Sequence, residues 1–254
     1  NDNYLAYFRI KMASVLPKDI KICLYLDIDM LCVSDIREIF NIDLDKKICG
    51  VVRDCYYSKN INNVDSKKPG FKINTNSYFN SGFMLIDLEK WRNFEVEKKC
   101  FDFLANYIPV FHDQDALNAI LSEHIKILGL EYNFAVGILE SNYITTKHFK
   151  NGDVTNPMIY TYDEFLEAKD KIKILHYLTR NKPWAINQDC IYAMKPPYKY
   201  KWWSLAFKTP IFDDELRDEY IKYNEESIYN LAKQLAYISV TARLVGKIIQ
   251  PSIL

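Results

Sequence analysis

The sequence lacks two features that would place it in a common class of protein. It has no net charge, because 33 basic and 33 acidic side chains cancel, so it has no overall positive field to attract nucleic acid. It also has no uninterrupted apolar stretch near the ~18–20 residues of a membrane span. The composition therefore favours a soluble or surface-attached protein that binds a small molecule or a neutral glycan.

Closely spaced cysteine pairs and a secretion signal are missing as well. The six cysteines form no CxxC pair, and Cys23 and Cys32 lie in apolar sequence where a free thiol packs like a small core residue. The N-terminal segment NDNYLAYFRI has no basic region followed by an apolar one, so it is not an intact secretion signal. These observations predict a cytoplasmic protein without structural zinc.

Apolar runs alternate with helical patterns along the chain, which predicts an α/β fold. Helical periodicity covers 89–107 and 112–123, the second with Asp113 as its N-cap, and a short helical turn covers 35–41. Four runs have the length and content of buried strands. They are KICLYLDIDML (21–31), ICGVVRD (48–54), SYFNSGFMLIDL (77–88) and KIKILHY (171–177).

Two segments fall outside this alternation. Residues 58–76 are polar and predict a long surface loop that would suit a lid. Residues 213–246 carry apolar side chains three, four or seven apart, which predicts an amphipathic helix or helix pair. We therefore expect a main domain over 1–208 and a helical extension over 209–254. The extension would pack on the main domain, on a second subunit or, with the Lys and Trp side chains of 199–208, on a membrane surface.

The first apolar run contains two carboxylates near its end, Asp27 and Asp29. In a strand they would face one side and Ile28 the other. Such a pair is costly at the end of a buried strand unless a cation or hydrogen bonds compensate, and strand ends are where α/β sheets bind ligands. The spacing alone is weak, since 20 Asp in 254 residues give roughly 1.6 DxD matches by chance and three occur. Only this pair follows a strongly apolar strand, which predicts a divalent metal site.

Two enzyme families carry DxD after an apolar strand. Haloacid-dehalogenase-type phosphatases have Thr or Val two residues after the second Asp, where this chain has Leu31. Metal-dependent nucleotide-sugar glycosyltransferases use the pair to hold manganese against the donor diphosphate. Four ordered blocks resemble glycosyltransferase family 8, which contains bacterial lipopolysaccharide glucosyl- and galactosyltransferases and glycogenin. The blocks are LYLDIDML (24–31), YFNSGFMLIDLEKW (78–91), DQDALN (113–118) and HYLTRNKPW (176–184).

The resemblance implies a GT-A-type domain with a mixed, mostly parallel sheet flanked by helices, and a bound metal. Asp27, Asp29 and His176 match the family's metal ligands, and oxygen ligands with one imidazole suit Mn²⁺ or Mg²⁺. Lys182 matches the lysine that contacts the diphosphate. Thr179 stands where the family usually has a glycine that lets the backbone approach the phosphate. Either its hydroxyl binds instead or diphosphate binding is weakened.

The resemblance also implies residues that bind the donor sugar. Asn80, Asp113 and Gln114 match residues that hold the sugar, and Asp54 matches a position near the sugar and the acceptor. Ile28, between the two aspartates, belongs to the same group of donor-binding candidates. Two plainer interpretations stay open, since Asn80 would also suit a strand bulge and Asp113 would also suit a helix cap.

The implied reaction is transfer of a hexose, glucose or galactose, from UDP to a glycan hydroxyl with retention at the anomeric carbon. The acceptor would be lipopolysaccharide or another surface glycan, on the cytoplasmic face of the membrane. Retention by double displacement needs a nucleophile beneath the ring, and the matching residue is Gln114, a neutral amide. We therefore favour front-face attack by the acceptor hydroxyl over a covalent intermediate on Asp113 or Asp115.

The segment before DxD is short for this family, whose members carry a nucleotide-binding strand–helix–strand unit there. Only 26 residues precede Asp27, which predicts a shortened chain or missing residues. The segment NDNYL resembles the family's uridine-binding loop and AYFRI a later segment that reaches the donor. Asp2, Asn3 and Arg9 are therefore donor-site candidates. The short segment and the missing glycine leave a second hypothesis, a UDP-sugar-binding or scaffold protein without turnover.

Overall fold

The computed structural model divides the described part of the chain into two compact units, Asn1–His176 and Tyr177–Leu254. No helix in this part of the chain has both the length and the apolarity to cross a membrane. The predicted domain division at 208/209 stays a prediction. The residues described are 4–55, 77–136, 159–178, 182–184 and 198–222, with separate helical positions between 224 and 236.

The first unit is built on a four-stranded sheet. Its strands are β1 (Ile22–Leu26), β3 (Cys49–Arg53), β4 (Phe79–Asp87) and β5 (Ile125–Ile127), in the order β1-β4-β3-β5. β4 runs antiparallel to β1 and to β3, and β5 runs parallel to β3. All residues of β4 except the last are buried. This strand therefore lies in the interior of the sheet. Its first residues, Phe79 and Asn80, pair with β3, and β1 pairs with its second half from Phe83 to Asp87.

A second, three-stranded sheet consists of β2 (Met30–Cys32), β6 (Phe134–Ala135) and β7 (Ile174–His176), in the order β2-β7-β6. β7 runs antiparallel to β2, with His176 opposite Met30, and parallel to β6, with His176 opposite Ala135. The middle strand therefore places His176 beside the turn that joins β1 to β2.

The hydrophobic core lies between the four-stranded sheet and the helices that pack against it. Val51, Phe79 and Met84 of the sheet pack in one cluster with Trp91 and Leu117 of the helices. Burial of this surface supplies the main favourable term in folding. The helices of the first unit are α1 (Met12–Val15), α2 (Leu88–Asn93), α3 (Val96–Asn106), α4 (His112–Leu121) and α5 (Tyr162–Asp170), with 3-10 helices at Tyr4–Lys11, Arg37–Asn41 and Leu130–Tyr132.

The run 21–31 is not the single strand that its apolar content predicts. β1 ends at Leu26, and the Met30 N–H donates to the Asp27 carbonyl at 3.1 Å, which closes a turn before the chain enters the other sheet. Two short strands on either side of a turn produce the same apolar run as one long strand, so that prediction is wrong.

The helical stretch 89–107 is divided in the structure. Glu95 lies between α2 and α3 with a left-handed backbone, φ 56°, which ends one helix and redirects the chain into the next. Side-chain periodicity continues across such a break. The sequence pattern therefore predicted one helix where there are two.

Helix α4 confirms the predicted helix near 112–123, but Asp113 is not its N-cap. The N-cap is Phe111. The Asp115 carboxylate accepts from the N–H groups of Val110 and Phe111 at 2.8 and 2.9 Å. Because Asp115 satisfies these donors at the start of the helix, the Asp113 side chain is available to face the site described below.

The sheets are mixed, as predicted, but they are not mostly parallel. Three of the five strand pairings described are antiparallel and two are parallel. An apolar run has the same pattern in both chain directions, so strand direction cannot be inferred from it. The predicted helical turn at 35–41 is confirmed as a 3-10 helix, and the predicted lid at 58–76 lies outside the described residues.

The second unit contains α6 (Lys199–Ala206) and helical residues 213–222. Trp203 is buried, and its Nε1 donates to the Pro183 carbonyl at 2.8 Å. Its ring lies edge-on to Tyr220, 4.9 Å between centroids. Trp203 therefore packs inside this unit and does not face a surface. Ile221 and Ile228 are exposed on the helical residues that follow, and most of the predicted amphipathic segment lies outside the described residues.

We expect Asp115→Ala to lower the free energy of unfolding by about 3 kcal/mol or more. The fully buried carboxylate accepts from Tyr78 Oη at 2.6 Å and from the Val110 and Phe111 N–H groups, and each buried donor left unpaired costs ~1–3 kcal/mol. Urea unfolding followed by circular dichroism measures the change. Asp102→Ala, an exposed aspartate on α3, is the matched control, with an expected change within about 0.5 kcal/mol. Equal stability of the two variants would contradict this role.

Candidate active site

The DxD carboxylates lie in a turn held by β4. The Asp27 N–H donates to the Gly82 carbonyl at 2.8 Å, so the turn is fixed to the centre of the sheet. Ile28 is fully exposed at its tip. Asp27, Asp29 and His176 each offer one ligand atom, and these atoms all lie within 4.8 Å of one another. The predicted convergence is therefore present, although a turn produces it and strand alternation does not.

The chemistry of this cluster suits a divalent cation. His176 is 1% exposed, and its Nε2 lies 3.2 Å from Asp29 Oδ1. Two carboxylates and one imidazole are a donor set for Mn²⁺ or Mg²⁺, whereas a thiolate metal would need cysteine. The five cysteines in the described part of the chain are free thiols, none of them in the cluster.

Gly82 has no side chain, and the space that a Cβ would fill is taken by polar side chains of the site. A Cβ there would lie 2.7 Å from Asp27 Oδ2, 2.7 Å from His176 Cε1 and 2.9 Å from Asn80 Oδ1. All three distances are far below van der Waals contact. Glycine is therefore required here because three polar side chains approach one backbone atom.

Arg9 reaches this site from the N-terminal 3-10 helix. Its side chain is 10% exposed, with Nη2 2.9 Å from Asp27 Oδ1 and Nε 2.9 Å from Asp113 Oδ2. The second contact is an ion pair without hydrogen-bond geometry. Nη1 donates to the Ser81 carbonyl at 2.7 Å, and the guanidinium lies 4.6 Å from the Tyr25 ring centroid. One fixed cation thus offsets two carboxylates that would otherwise repel each other.

Two donors hold the Asp27 carboxylate through one of its oxygens. Arg9 and the Tyr25 hydroxyl, at 2.9 Å, both contact Oδ1, and Oδ2 is the oxygen nearest Gly82. Burial raises the pKa of Tyr25 well above its usual range, so the hydroxyl is a donor at neutral pH. Burial also raises the pKa of the Asp113 carboxyl, while Arg9 opposes that shift.

Gln114 is bonded at both ends of its amide. Oε1 accepts from the Ser81 N–H at 3.0 Å and from Asn80 Nδ2 at 3.2 Å. Nε2 donates to Asp54 Oδ2 at 3.1 Å and to Tyr78 Oη at 3.0 Å. Because a backbone N–H can only donate, the amide orientation is fixed. Gln114 therefore holds its neighbours and has its oxygen occupied by two donors.

The first unit thus brings together most of the site residues predicted on it. Around the cluster of Asp27, Asp29 and His176 it gathers Arg9, Asp54, Asn80, Asp113 and Gln114. Asp115 is the exception, since its carboxylate is 0% exposed and bonded to three donors. It is therefore unsuited to the role of covalent nucleophile, a correction to the sequence-based expectation.

Three other predicted residues are outside the described part of the chain, and one lies in the second unit. Asp2, Asn3 and Thr179 are not among the described residues. Lys182 belongs to the second unit, where its ammonium group donates to the Tyr177 carbonyl. Its role toward the diphosphate stays a prediction.

Two residues of the site were missed by sequence reasoning. Tyr25 lies two residues before Asp27 in β1, and the period-two alternation of a strand would have placed it on the same face. Asn133 contacts His176 Nδ1 at 2.8 Å through Oδ1. Nothing in its local sequence marks it, because it belongs to no periodic pattern and precedes a strand of two residues.

Two solved structures share this fold, which is that of the GT-A glycosyltransferases. The apo structure of the bifunctional glycosyltransferase WbbM aligns with a TM-score of 0.66 and 20% identity, over 84% of this chain and 37% of that one. The galactosyltransferase LgtC, solved with donor and acceptor sugar analogues, aligns with a TM-score of 0.57 and 23% identity, over 84% of this chain and 70% of that one. At these identities the likeness shows the fold alone and leaves function and substrates open.

The chain belongs to glycosyl transferase family 8, whose family profile matches residues 1–188. It is 28% identical to general stress protein A of Bacillus subtilis over 76% of this chain and 62% of that protein. It is 25% identical to the lipopolysaccharide 1,2-glucosyltransferase of Escherichia coli K12 over 96% of this chain and 64% of that enzyme. The chain thus spans less than two thirds of the length of these relatives.

We expect Gly82→Ala to weaken Mn²⁺ binding by about tenfold or more, the scale seen when groups that orient metal ligands are disturbed. The new Cβ would displace Asp27, His176 and Asn80. Isothermal titration calorimetry measures the affinity. Gly50→Ala in β3 is the control, since its Cβ would meet leucine methyl groups at 3.0 Å and no metal ligand. Equal Mn²⁺ affinity in the two variants would show that the bare backbone at Gly82 is not needed.

Proposed function

We propose that the chain carries the catalytic site of a retaining, metal-dependent hexosyltransferase. It would move glucose or galactose from a UDP-sugar to a glycan hydroxyl. The observation that carries this proposal is the position of one β4 segment, Asn80 to Gly82, between two groups of side chains. The metal-binding cluster contacts it at Gly82, and Gln114 and Asp113 contact it at Ser81.

Asp27, Asp29 and His176 would hold Mn²⁺ or Mg²⁺. Such an ion neutralises charge on the diphosphate of the departing UDP and so makes UDP a better leaving group. The protein's part is to orient the ligands, which Arg9 and Tyr25 do for Asp27. Lys182, by its match to the family lysine, would add a positive charge toward the diphosphate.

Asn80, Asp113 and Gln114 would hold the hexose. Their amide and carboxylate groups offer donors and acceptors in fixed orientations, as the binding of sugar hydroxyls requires. Asp113 and Asn80 are 5% and 6% exposed. Polar groups that are already oriented need no reorganisation as charge develops in the transition state.

Front-face attack is the mechanism that these contacts favour. The acceptor oxygen bonds to the anomeric carbon as the bond from that carbon to the UDP phosphate oxygen breaks, and the acceptor proton passes to the departing phosphate. Gln114 is unsuited to a double displacement, because it is neutral and its oxygen already accepts two hydrogen bonds. Asp113 as covalent nucleophile is the alternative, and its ion pair with Arg9 would lower its nucleophilicity.

The acceptor we propose is lipopolysaccharide or another surface glycan. Two relatives carry such names, the lipopolysaccharide 1,2-glucosyltransferase of Escherichia coli and the lipopolysaccharide 1,3-galactosyltransferase of Salmonella typhimurium, 24% identical over 85% of this chain. Action on the cytoplasmic face of a membrane follows from that acceptor. Contact with the membrane, or with a second copy of the chain, through residues after 208 stays a prediction.

We expect Mn²⁺-dependent hydrolysis of UDP-glucose or UDP-galactose by the full-length gene product, and its loss in Asp27→Asn/Asp29→Asn. The matched control is a second DxD pair, Asp43→Asn/Asp45→Asn, which lies in a solvated turn with Asp45 paired to Lys126. It should keep wild-type rates. UDP-sugar binding without hydrolysis in the wild type would favour the scaffold hypothesis, and equal loss in both variants would contradict the metal assignment.

We expect Gln114→Ala to lower the transfer rate by about 10²-fold, the scale of one lost, well-placed hydrogen-bonding group. The change removes the hydrogen bonds of Gln114 to Asn80 and Asp54. In front-face attack no covalent intermediate on Gln114 is lost. Steady-state kinetics measures the rate, and intact-protein mass spectrometry of the wild type with donor alone should show no added hexose. A hexose adduct that disappears in Gln114→Ala would overturn front-face attack.

A further inference from the structure

Asn133 connects the metal-binding cluster to the residues proposed for the sugar. Its Oδ1 lies 2.8 Å from His176 Nδ1, and its Nδ2 donates to Asn80 Oδ1 at 2.9 Å. The residue follows the 3-10 helix Leu130–Tyr132 and directly precedes β6, the strand beside His176. Asn133 is 4% exposed. One buried amide therefore contacts a metal ligand with one atom and a sugar-site amide with the other.

The orientation of this amide follows from a backbone group. The Gly82 N–H donates to Asn80 at 3.1 Å, and a backbone N–H can only donate, so the Asn80 atom that it meets is the oxygen. The Asn133 atom 2.9 Å from that oxygen must then be the nitrogen. Its other atom, facing His176, is the oxygen.

The same reasoning assigns the imidazole tautomer. An amide oxygen can only accept, so His176 Nδ1 carries a hydrogen and donates to Asn133. In the neutral ring Nε2 then carries the lone pair, 3.2 Å from Asp29 Oδ1. A metal ion bound by both atoms, or a proton shared between them, would satisfy this contact. The tautomer that Asn133 selects is the one that leaves Nε2 as a metal ligand.

The nitrogen end of Asn133 acts on the sugar site. With Asn80 Oδ1 held by Asn133 and Gly82, Asn80 Nδ2 is directed at Gln114 Oε1 and Asp54 Oδ2, at 3.2 and 3.3 Å. Without the Asn133 donor, one of the two hydrogen bonds to Asn80 Oδ1 is lost. The Asn80 side chain is then less firmly held.

We propose that Asn133 is a positioning residue with two separable effects, setting the His176 tautomer for metal binding and holding Asn80 for donor-sugar binding. The second effect rests on the proposed function, whereas the first depends on the geometry of the metal cluster alone. Asp and Ala at this position separate the two. Asp keeps an oxygen for the Nδ1 hydrogen but has no hydrogen for Asn80, and Ala provides neither.

Metal affinity tests the first effect. By calorimetry on the full-length protein, Asn133→Ala should bind Mn²⁺ about 10–100-fold more weakly, the scale for groups that orient metal-binding histidines. Asn133→Asp should stay within about threefold of wild type by the same principle. The matched control is Asn118→Ala, a buried asparagine bonded to both backbone groups of Phe79, which should keep wild-type Mn²⁺ affinity once the folded fraction is accounted for. An Asn133→Ala protein with wild-type affinity would overturn the proposal.

The tautomer is read directly by nitrogen NMR of ¹⁵N-histidine-labelled, metal-free protein, because a metal bound at Nε2 would impose the Nδ1–H form in every variant. His176 is assigned from its loss in His176→Gln. Wild type and Asn133→Asp should show the Nδ1–H form, and Asn133→Ala a mixture. Hydrogen on Nε2 in the wild type would overturn the assignment. Because this readout involves no donor, it stands even if the protein transfers no hexose.

Donor kinetics test the second effect. Asn133→Asp should raise KM for the UDP-sugar by about tenfold, the scale of one hydrogen bond lost from a binding site, with near-normal Mn²⁺ affinity. An unchanged KM in this variant would contradict the link to Asn80. If Asn133→Ala does not fold, Asn133→Asp still decides both effects. A purely structural disturbance would weaken Mn²⁺ binding and raise KM together, whereas the proposal expects KM alone to change in this variant.

Discussion

The close approach of the β4 backbone to the DxD turn at Gly82 is the contact on which the rest of the site depends. The Gly82 carbonyl accepts from the Asp27 N–H at 2.8 Å, and the missing side chain leaves room for Asp27 and the His176 ring. β4 lies at the buried centre of its sheet, and a site on such an element is held more exactly than one on loops alone. The two carboxylates and the imidazole can therefore stay together, although His176 is far along the chain from Asp27 and Asp29.

The polar groups next to this contact form one connected network. Asn133 joins His176 to Asn80, and Asn80 joins in turn to Gln114. Hydrogen bonds in a buried environment are stronger than in water, and an amide bonded at both ends cannot turn without losing a partner. Arg9 supplies the positive charge that this network needs at Asp27 and Asp113. The site is thus oriented before any ligand binds, which is the condition for electrostatic stabilisation of a transition state.

Particular residues show how far the sequence could be interpreted. Asp27 and Asp29 were predicted as metal ligands because the DxD pair follows a strongly apolar strand, and His176 was added by the family resemblance. The apolar pattern predicts Asp113 as a helix cap and the resemblance predicts it as a sugar-binding residue, yet Asp115 satisfies the N–H groups at the helix start. Asn133 carried no signal, since an asparagine before a short strand is common and its partners are 43 and 53 residues away.

The sequence by itself determined the alternation of strands and helices, the residue types of the metal site and the resemblance to the family, because periodicity and motif chemistry are local properties of the chain. The tertiary structure decided which strands are antiparallel, where the run 21–31 turns, and which atom of each amide faces which partner. These depend on contacts between residues far apart in the chain. The Gly82 N–H takes its place only when the sheet forms. It then sets the orientation of the Asn80 amide, and through it that of the Asn133 amide beside His176.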